Sequence, residues 1–153
     1  MTKIEEIEQK LNECQKALAE LKESKKEGKW KPKDDEVYWF RDADGFPDWT
    51  RWCGSAADIW RYNNISIFPT KPEYDKYWHF MDTVKEKSCE FSEEEWKEPG
   101  IAKHYIYYSF ESECFNINAT HTSRYLGEIY FKKESDAQYI IDNFKDELLK
   151  YWL

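Results

Sequence analysis

Two short stretches of this sequence recur at a fixed separation. Arg61-Tyr62 returns 63 positions later as Arg124-Tyr125, and Ile67-Phe68 as Tyr130-Phe131, each time ahead of an amphipathic helical pattern. Self-similarity at a constant offset marks one supersecondary unit used twice, which restricts the chain to a tandem arrangement before any single element is assigned. The first helix is announced by Thr70-Lys71-Pro72-Glu73, a capping box with proline in its first turn. It sets Tyr74, Tyr77, Trp78, Met81 and Val84 on one face and ends near Ser88. The second opens with Ser135-Asp136-Ala137-Gln138, another capping box, and places Ala137, Ile140, Ile141, Phe144, Leu148 and Tyr151 on its apolar face.

Strand patterns precede both helices. Val37-Tyr38-Trp39-Phe40 is a β-rich run, Asp42-Ala43-Asp44-Gly45 a turn with the Asp-Gly pair favoured in hairpins, and 48–52 an alternating return strand. The aspartates do not make a calcium loop, because Gly45 and Pro47 come too early for ligands at every second position. Ile59-Trp60-Arg61-Tyr62 and the run 65–68 follow. In the second unit, 104–110 is a strand, Glu111-Ser112-Glu113 a turn, 114–119 the return strand and 126–131 a further strand. Both units read as strand-strand-strand-helix. Between them, Ser92-Glu93-Glu94-Glu95 starts a short acidic helix that Pro99-Gly100 stops.

The amino-terminal segment is of another kind. Ile4, Ile7, Leu11, Cys14, Leu18 and Leu21 are spaced 3, 4, 3, 4, 3, an unbroken heptad seam with polar residues or alanine almost everywhere between. Three heptads are marginal alone, so the helix is expected to pair with a second copy or to pack back on the chain, and homodimerisation is the favoured expectation. In a parallel pair Lys3 faces Glu8 of the partner and Cys14 faces its own copy, so oxidation should cross-link the dimer. Gly28 and Pro32 then mark a linker in which Trp30 is the one large apolar residue. The expected fold is α+β: a coiled-coil helix (1–24), a linker (25–35), a first antiparallel sheet-plus-helix module (36–88), an acidic short helix and linker (89–102) and a second module (103–153).

Charge and aromatic content share one location. Residues 1–35 hold nine lysines and nine acids, whereas 36–153 hold 14 basic and 22 acidic side chains, which accounts for the whole net charge of -8. All the Trp, Tyr and Phe residues except Trp30 also lie in 36–153. Such acidity excludes nonspecific nucleic-acid binding, which needs Lys and Arg to displace counterions from phosphates. It suits either plain solubility or docking onto a basic surface of another protein. Large rings fill small cores, and exposed Trp, Tyr and Arg make interface hot spots. Trp and Arg alternate near the hairpin with few aliphatics, so Trp49, Arg51, Trp52, Trp60 and Arg61 are the first candidate partner-binding residues. Glu93, Glu94, Glu95 and Glu98 beside Trp96 form a second candidate group.

Catalytic signals are missing. His79, His104 and His121 have no acid or nucleophile at motif spacing, no phosphate or dinucleotide loop occurs, and Cys14, Cys53, Cys89 and Cys114 lack zinc or redox spacing. No enzyme activity, cofactor or metal is expected. Neither a membrane span nor a signal sequence is expected, and the compartment inferred is a reducing cytoplasm.

The heptad helix, the hairpin with "YWFRDADG" and "WRYNN" followed by "IFPTKPE", and the segment "RYLGEIYFKKESDAQYIIDNFKDELLKYW" together resemble small accessory proteins of phages and prophages of Gram-positive bacteria. Similar small acidic proteins include inhibitors of host defence, among them anti-CRISPR proteins. The resemblance implies a non-enzymatic protein that binds a host protein in the bacterial cytoplasm, most concretely a type II CRISPR effector such as Cas9. The alternative expectation is a phage structural or assembly protein.

Overall fold

A computed structural model describes the backbone of residues 2–26 and 29–153 and the side chains of 2–19 and 29–153. Within these, the chain is α+β, with six helices and two three-stranded antiparallel sheets. It divides into two compact units, Met1–Tyr74 and Asp75–Leu153, with the division inside a helix.

The first unit opens with α1 (Lys3–Lys26), which starts from a reciprocal cap. The Glu5 amide donates to Thr2 Oγ1 (3.3 Å), and the Thr2 amide donates to the Glu5 carboxylate (2.6 Å). Seam residues Ile4, Ile7, Leu11 and Leu18 are 52–69% exposed and Cys14 is exposed, so the helix is not docked on the chain by that stripe. The side chain of Leu21, which the sequence assigns to the seam, and the linker residue Gly28 lie outside what is described.

Strands β1 (Val37–Arg41) and β2 (Pro47–Arg51) form the expected hairpin, closed by Asp42, whose carboxylate accepts from the amides of Asp44 and Phe46. Gly45 takes the φ of 89° that the turn requires. After β2 comes α2 (Ala56–Asn64), then β3 (Ile67–Phe68), which pairs with β1 so that the order is β2-β1-β3. Alternation puts Tyr38, Phe40 and Ile67 on the inner face. There they form a core with Trp52, flanked by Trp30, Tyr62 and Ile65. The half of the repeat built on Arg61-Tyr62 is not matched in structure: those residues lie in α2, whereas Arg124-Tyr125 lie in a loop.

Helix α3 (Lys71–Lys87) begins as expected, with the Glu73 amide donating to Thr70 Oγ1. Tyr74, in its first turn, packs edge-on against Phe68. From Asp75 onward the helix belongs to the second unit, where Phe80 and Val84 enter the core.

In that unit α4 (Glu93–Lys97) precedes the hairpin β4 (Lys103–Ser109) and β5 (Cys114–Thr120), and β6 (Tyr130–Phe131) completes a sheet of order β5-β4-β6. The expected strand over 126–131 is reduced to these two residues. Helices α5 (Glu134–Asn143) and α6 (Lys145–Tyr151) replace one continuous helix, because Phe144, at φ -132° and ψ 32°, leaves helical geometry while remaining buried. The second capping box does not form. Helix α5 starts one residue before Ser135, and its cap position is Lys133, which makes no side-chain cap bond. One sheet face packs Ile106, Phe115 and Ile117 against Phe80, Val84, Ala137, Ile140, Phe144 and Leu148. Tyr105 and Tyr130 face the other way, where Trp96 lies 4.9 Å from the Tyr130 ring.

Candidate functional site

The open face of the first sheet is assembled by its register. Trp39 of β1 stands opposite Trp49 of β2 and Phe68 of β3, so three rings run in a row across the sheet from the exposed edge to its buried side. Trp49 at the edge is 52% exposed. Arg51, two residues along the same strand and therefore on the same face, is exposed, with its guanidinium 3.6 Å from the Asp35 carboxylate. The guanidinium also donates to the Asp35 carbonyl (3.1 Å), and exposed contacts of this kind contribute little to stability.

Period-two alternation separates the candidates that the sequence grouped together. Trp49 and Arg51 point outward, and Trp52 points inward. The Trp52 backbone continues the pairing one step beyond β2, donating to the Glu36 carbonyl (2.9 Å) and accepting from the Asp35 amide (2.8 Å). Its ring is 6% exposed and stacks edge-on with Tyr38 and Tyr62, so it is core and unavailable to a partner. On α2, Trp60 is exposed beside exposed Ile59. Arg61 turns inward: its guanidinium lies 4.4 Å from the Phe40 ring centre and donates to the Tyr38 hydroxyl (3.1 Å). It is a strut of the unit rather than a free anchor.

What holds α2, and with it Trp60, is Asp58. The cap residue Ser55 accepts from the Asp58 amide, and the Asp58 carboxylate accepts from the Ser55 amide (3.2 Å), the Cys53 amide (2.9 Å) and the Tyr38 hydroxyl (2.6 Å). Asp58 is 2% exposed, with Arg61 at 3.8 Å. Burial alone would raise its pKa. The hydrogen bonds from Tyr38, from the Cys53 amide and thiol and from Ser55 outweigh that and hold it far below the ordinary carboxylate range. Burial, reinforced by the bond to this carboxylate, raises the Tyr38 phenol.

The acidic candidates of the second unit fare differently. Glu93 and Glu94 are exposed, although Glu93 pairs with Lys97 at 3.6 Å. Glu95 is spent on the α4 cap, accepting from the Ser92 amide (2.9 Å). Glu98 accepts from the Gly100 amide, and its carbonyl from Lys103. Trp96 is partly buried against Phe91 and Tyr130, with the Lys103 ammonium 5.5 Å and the Arg124 guanidinium 5.7 Å from its ring. Lys103 itself is fully buried. Its ammonium donates to the carbonyls of Glu98 (3.1 Å) and His121 (2.5 Å), an arrangement with no signature in the sequence.

No catalytic constellation assembles among the described residues. His79 packs on Phe144 and His121 bonds the Pro99 carbonyl, and no group of three His, Cys, Asp or Glu is placed to hold a metal ion. No described helix is long and apolar enough to cross a membrane. No family model, curated protein or solved structure matches the chain.

Proposed function

We propose that this chain is a non-enzymatic binding protein that docks on a host protein through the open face of its first sheet. The observation that supports the reading is the register that sets the exposed Trp49 opposite Trp39, on the face that also carries Arg51: exposed tryptophan beside arginine is hot-spot chemistry. Trp60, on the helix that covers the other face of the sheet, and Glu93 and Glu94 of the second unit are separate exposed candidates. Net charge of -8 selects a basic partner surface and speeds encounter with it. The most concrete partner is a nucleic-acid enzyme of a bacterial host, a type II CRISPR effector, and the chain in this reading is a phage-encoded inhibitor acting in the host cytoplasm.

The two sheets support the tandem-module reading. Each has its second strand, first strand and third strand in that order, and β3 and β6, like the starts of α3 and α5, are 63 residues apart. The exposed seam of α1 supports a coiled-coil homodimer. A parallel pair brings Lys3 against Glu8 of the second copy on both sides, whereas an antiparallel pair matches no opposite charges.

Titration of the purified chain into a cleavage assay with guide-loaded effector tests the function. Inhibition is expected, weakened about 30-fold or more by Trp49→Ala, the size of a hot-spot truncation. The same change should leave folding stability within about 0.5 kcal/mol. Undiminished cleavage at large excess overturns the effector reading, and inhibition unchanged in a Trp49→Ala, Arg51→Ala double variant overturns the site. A large open assembly in light scattering would favour the assembly-protein reading instead.

A further inference from the structure

The second unit holds a cavity of about 450 Å³, half of whose lining residues are rings: Tyr107, Tyr108 and Phe110 from the end of β4 and its turn, Phe115 from β5 and Trp152 beyond α6. The volume falls within the range of ligand sites. Tyr108 meets Phe110 at 80° and Phe115 at 64°, with ring centres 5.1 and 4.9 Å apart, so three of the rings form an edge-to-face cluster at the lining. Trp152 is fixed from behind by Phe80, 5.4 Å away. Phe110 forms an outer wall and is 79% exposed, far more than a ring recruited for packing.

Several rings elsewhere in the chain carry one of its own cations. Lys29 lies 4.7 Å from the Tyr62 ring centre, Arg61 4.4 Å from Phe40, Lys87 4.2 Å from Tyr139 and Lys103 5.5 Å from Trp96. Among the described residues no lysine or arginine lies over the five rings of this cavity, and the one ionisable side chain at its lining other than the tyrosines is a carboxylate, Glu128. Electron-rich faces and one negative group, with no internal cation, are complementary to an apolar cation supplied from outside.

We propose that this cavity is a guanidinium site that receives an arginine side chain of a partner protein. Arginine is favoured over lysine because its planar cation is weakly hydrated, stacks on aromatic faces and presents a fork that a carboxylate accepts in a bidentate manner. Glu128 is that carboxylate, and Phe110 and Trp152 are the stacking faces. The site belongs to the second unit, shares no residue with the Trp49 face and goes beyond the function proposed above.

The test uses the full-length ¹⁵N-labelled protein and three small probes: N-acetyl-arginine amide, its lysine counterpart and the neutral citrulline isostere. Titration followed by NMR is expected to shift the amides of Phe110, Gly127 and Glu128 and the Trp152 indole. Arginine should bind about tenfold or more tightly than citrulline, with lysine between them. Glu128→Gln should bring arginine to the citrulline level, and Phe110→Leu should weaken it severalfold. Both positions are exposed, so unchanged spectra elsewhere will show that the variants fold. Equal binding of arginine and citrulline, shifts that map to another surface, or no shifts up to tens of millimolar probe each overturn the proposal. No effector is involved, and Trp49→Ala should leave the titration unchanged, so the outcome is independent of the cleavage assay.

Discussion

Replacing Asp58 by asparagine tests whether the first unit is organised round a buried charge. The side chain keeps its shape, and one oxygen can still accept from the Tyr38 hydroxyl. The other oxygen, which accepts from the Cys53 and Ser55 amides, becomes an NH₂ group facing two N–H donors. Hydrogen bonds to charged groups contribute about 1.5–3 kcal/mol each. Two are lost, one of them the reciprocal half of the α2 capping box, and the Arg61 cation loses its neighbour, which gives a loss of about 3–5 kcal/mol, the range for removing one partner of a buried pair. The pH dependence carries a sign. Because the folded pKa of Asp58 is depressed, the stability its charge contributes is complete above the unfolded value of about 3.9 and is lost as pH falls toward the folded value. Urea unfolding of wild type and Asp58→Asn between pH 7 and pH 2 should therefore show a gap that is full at pH 7 and narrows below about pH 4. The chain has two units, so residue-resolved hydrogen exchange in β1 should accompany the global signal. A gap below about 1 kcal/mol at pH 7, or one that stays constant to pH 2, would refute the reasoning.

Three further outcomes are expected. Lys103→Met keeps the buried stem but leaves the Glu98 and His121 carbonyls without their donor, and should lower the urea-unfolding stability of the second unit by about 2–3 kcal/mol. Glu113 sits at φ 51° in the β4–β5 turn, where glycine carries no side-chain penalty, so Glu113→Gly should stabilise by about 0.5–1 kcal/mol in the same assay. Light scattering of the full chain at about 100 µM should report a dimer and removal of residues 1–26 a monomer, and oxidation should cross-link the full chain through Cys14 but not the Cys14→Ser variant.

The hairpins, their turns and the amino-terminal helix were legible because each rests on a local signal: strict alternation, an Asp-Gly pair, an unbroken heptad. Helix α2 was missed because Ile59-Trp60-Arg61-Tyr62 is as apolar as a strand, and its one start signal, Ser55 with Asp58 three residues on, is a capping box with aspartate in place of the usual glutamate. Phe80 was missed because the stripe assigned to α3 was narrower than the arc the helix buries. At the candidate site, composition singled out the hairpin but not which of its members are exposed. Trp49, Arg51 and Trp52 are equivalent by type, and only their parity along β2 separates two surface residues from a core ring. Lys103 gave no signal at all, since what buries its charge is two backbone carbonyls and two rings brought together by the tertiary fold.

The position of β2 also bears on solubility. As the edge of the first sheet it offers one row of backbone groups to solvent, and Trp49 makes that edge attractive to another chain. Pro47 brings no N–H to the row, and Asp48 adds a charge that an incoming strand would have to desolvate, both of which blunt an edge against sheet extension. A ring can thus be displayed for side-chain recognition on a strand that discourages the chain from stacking into fibrils of itself.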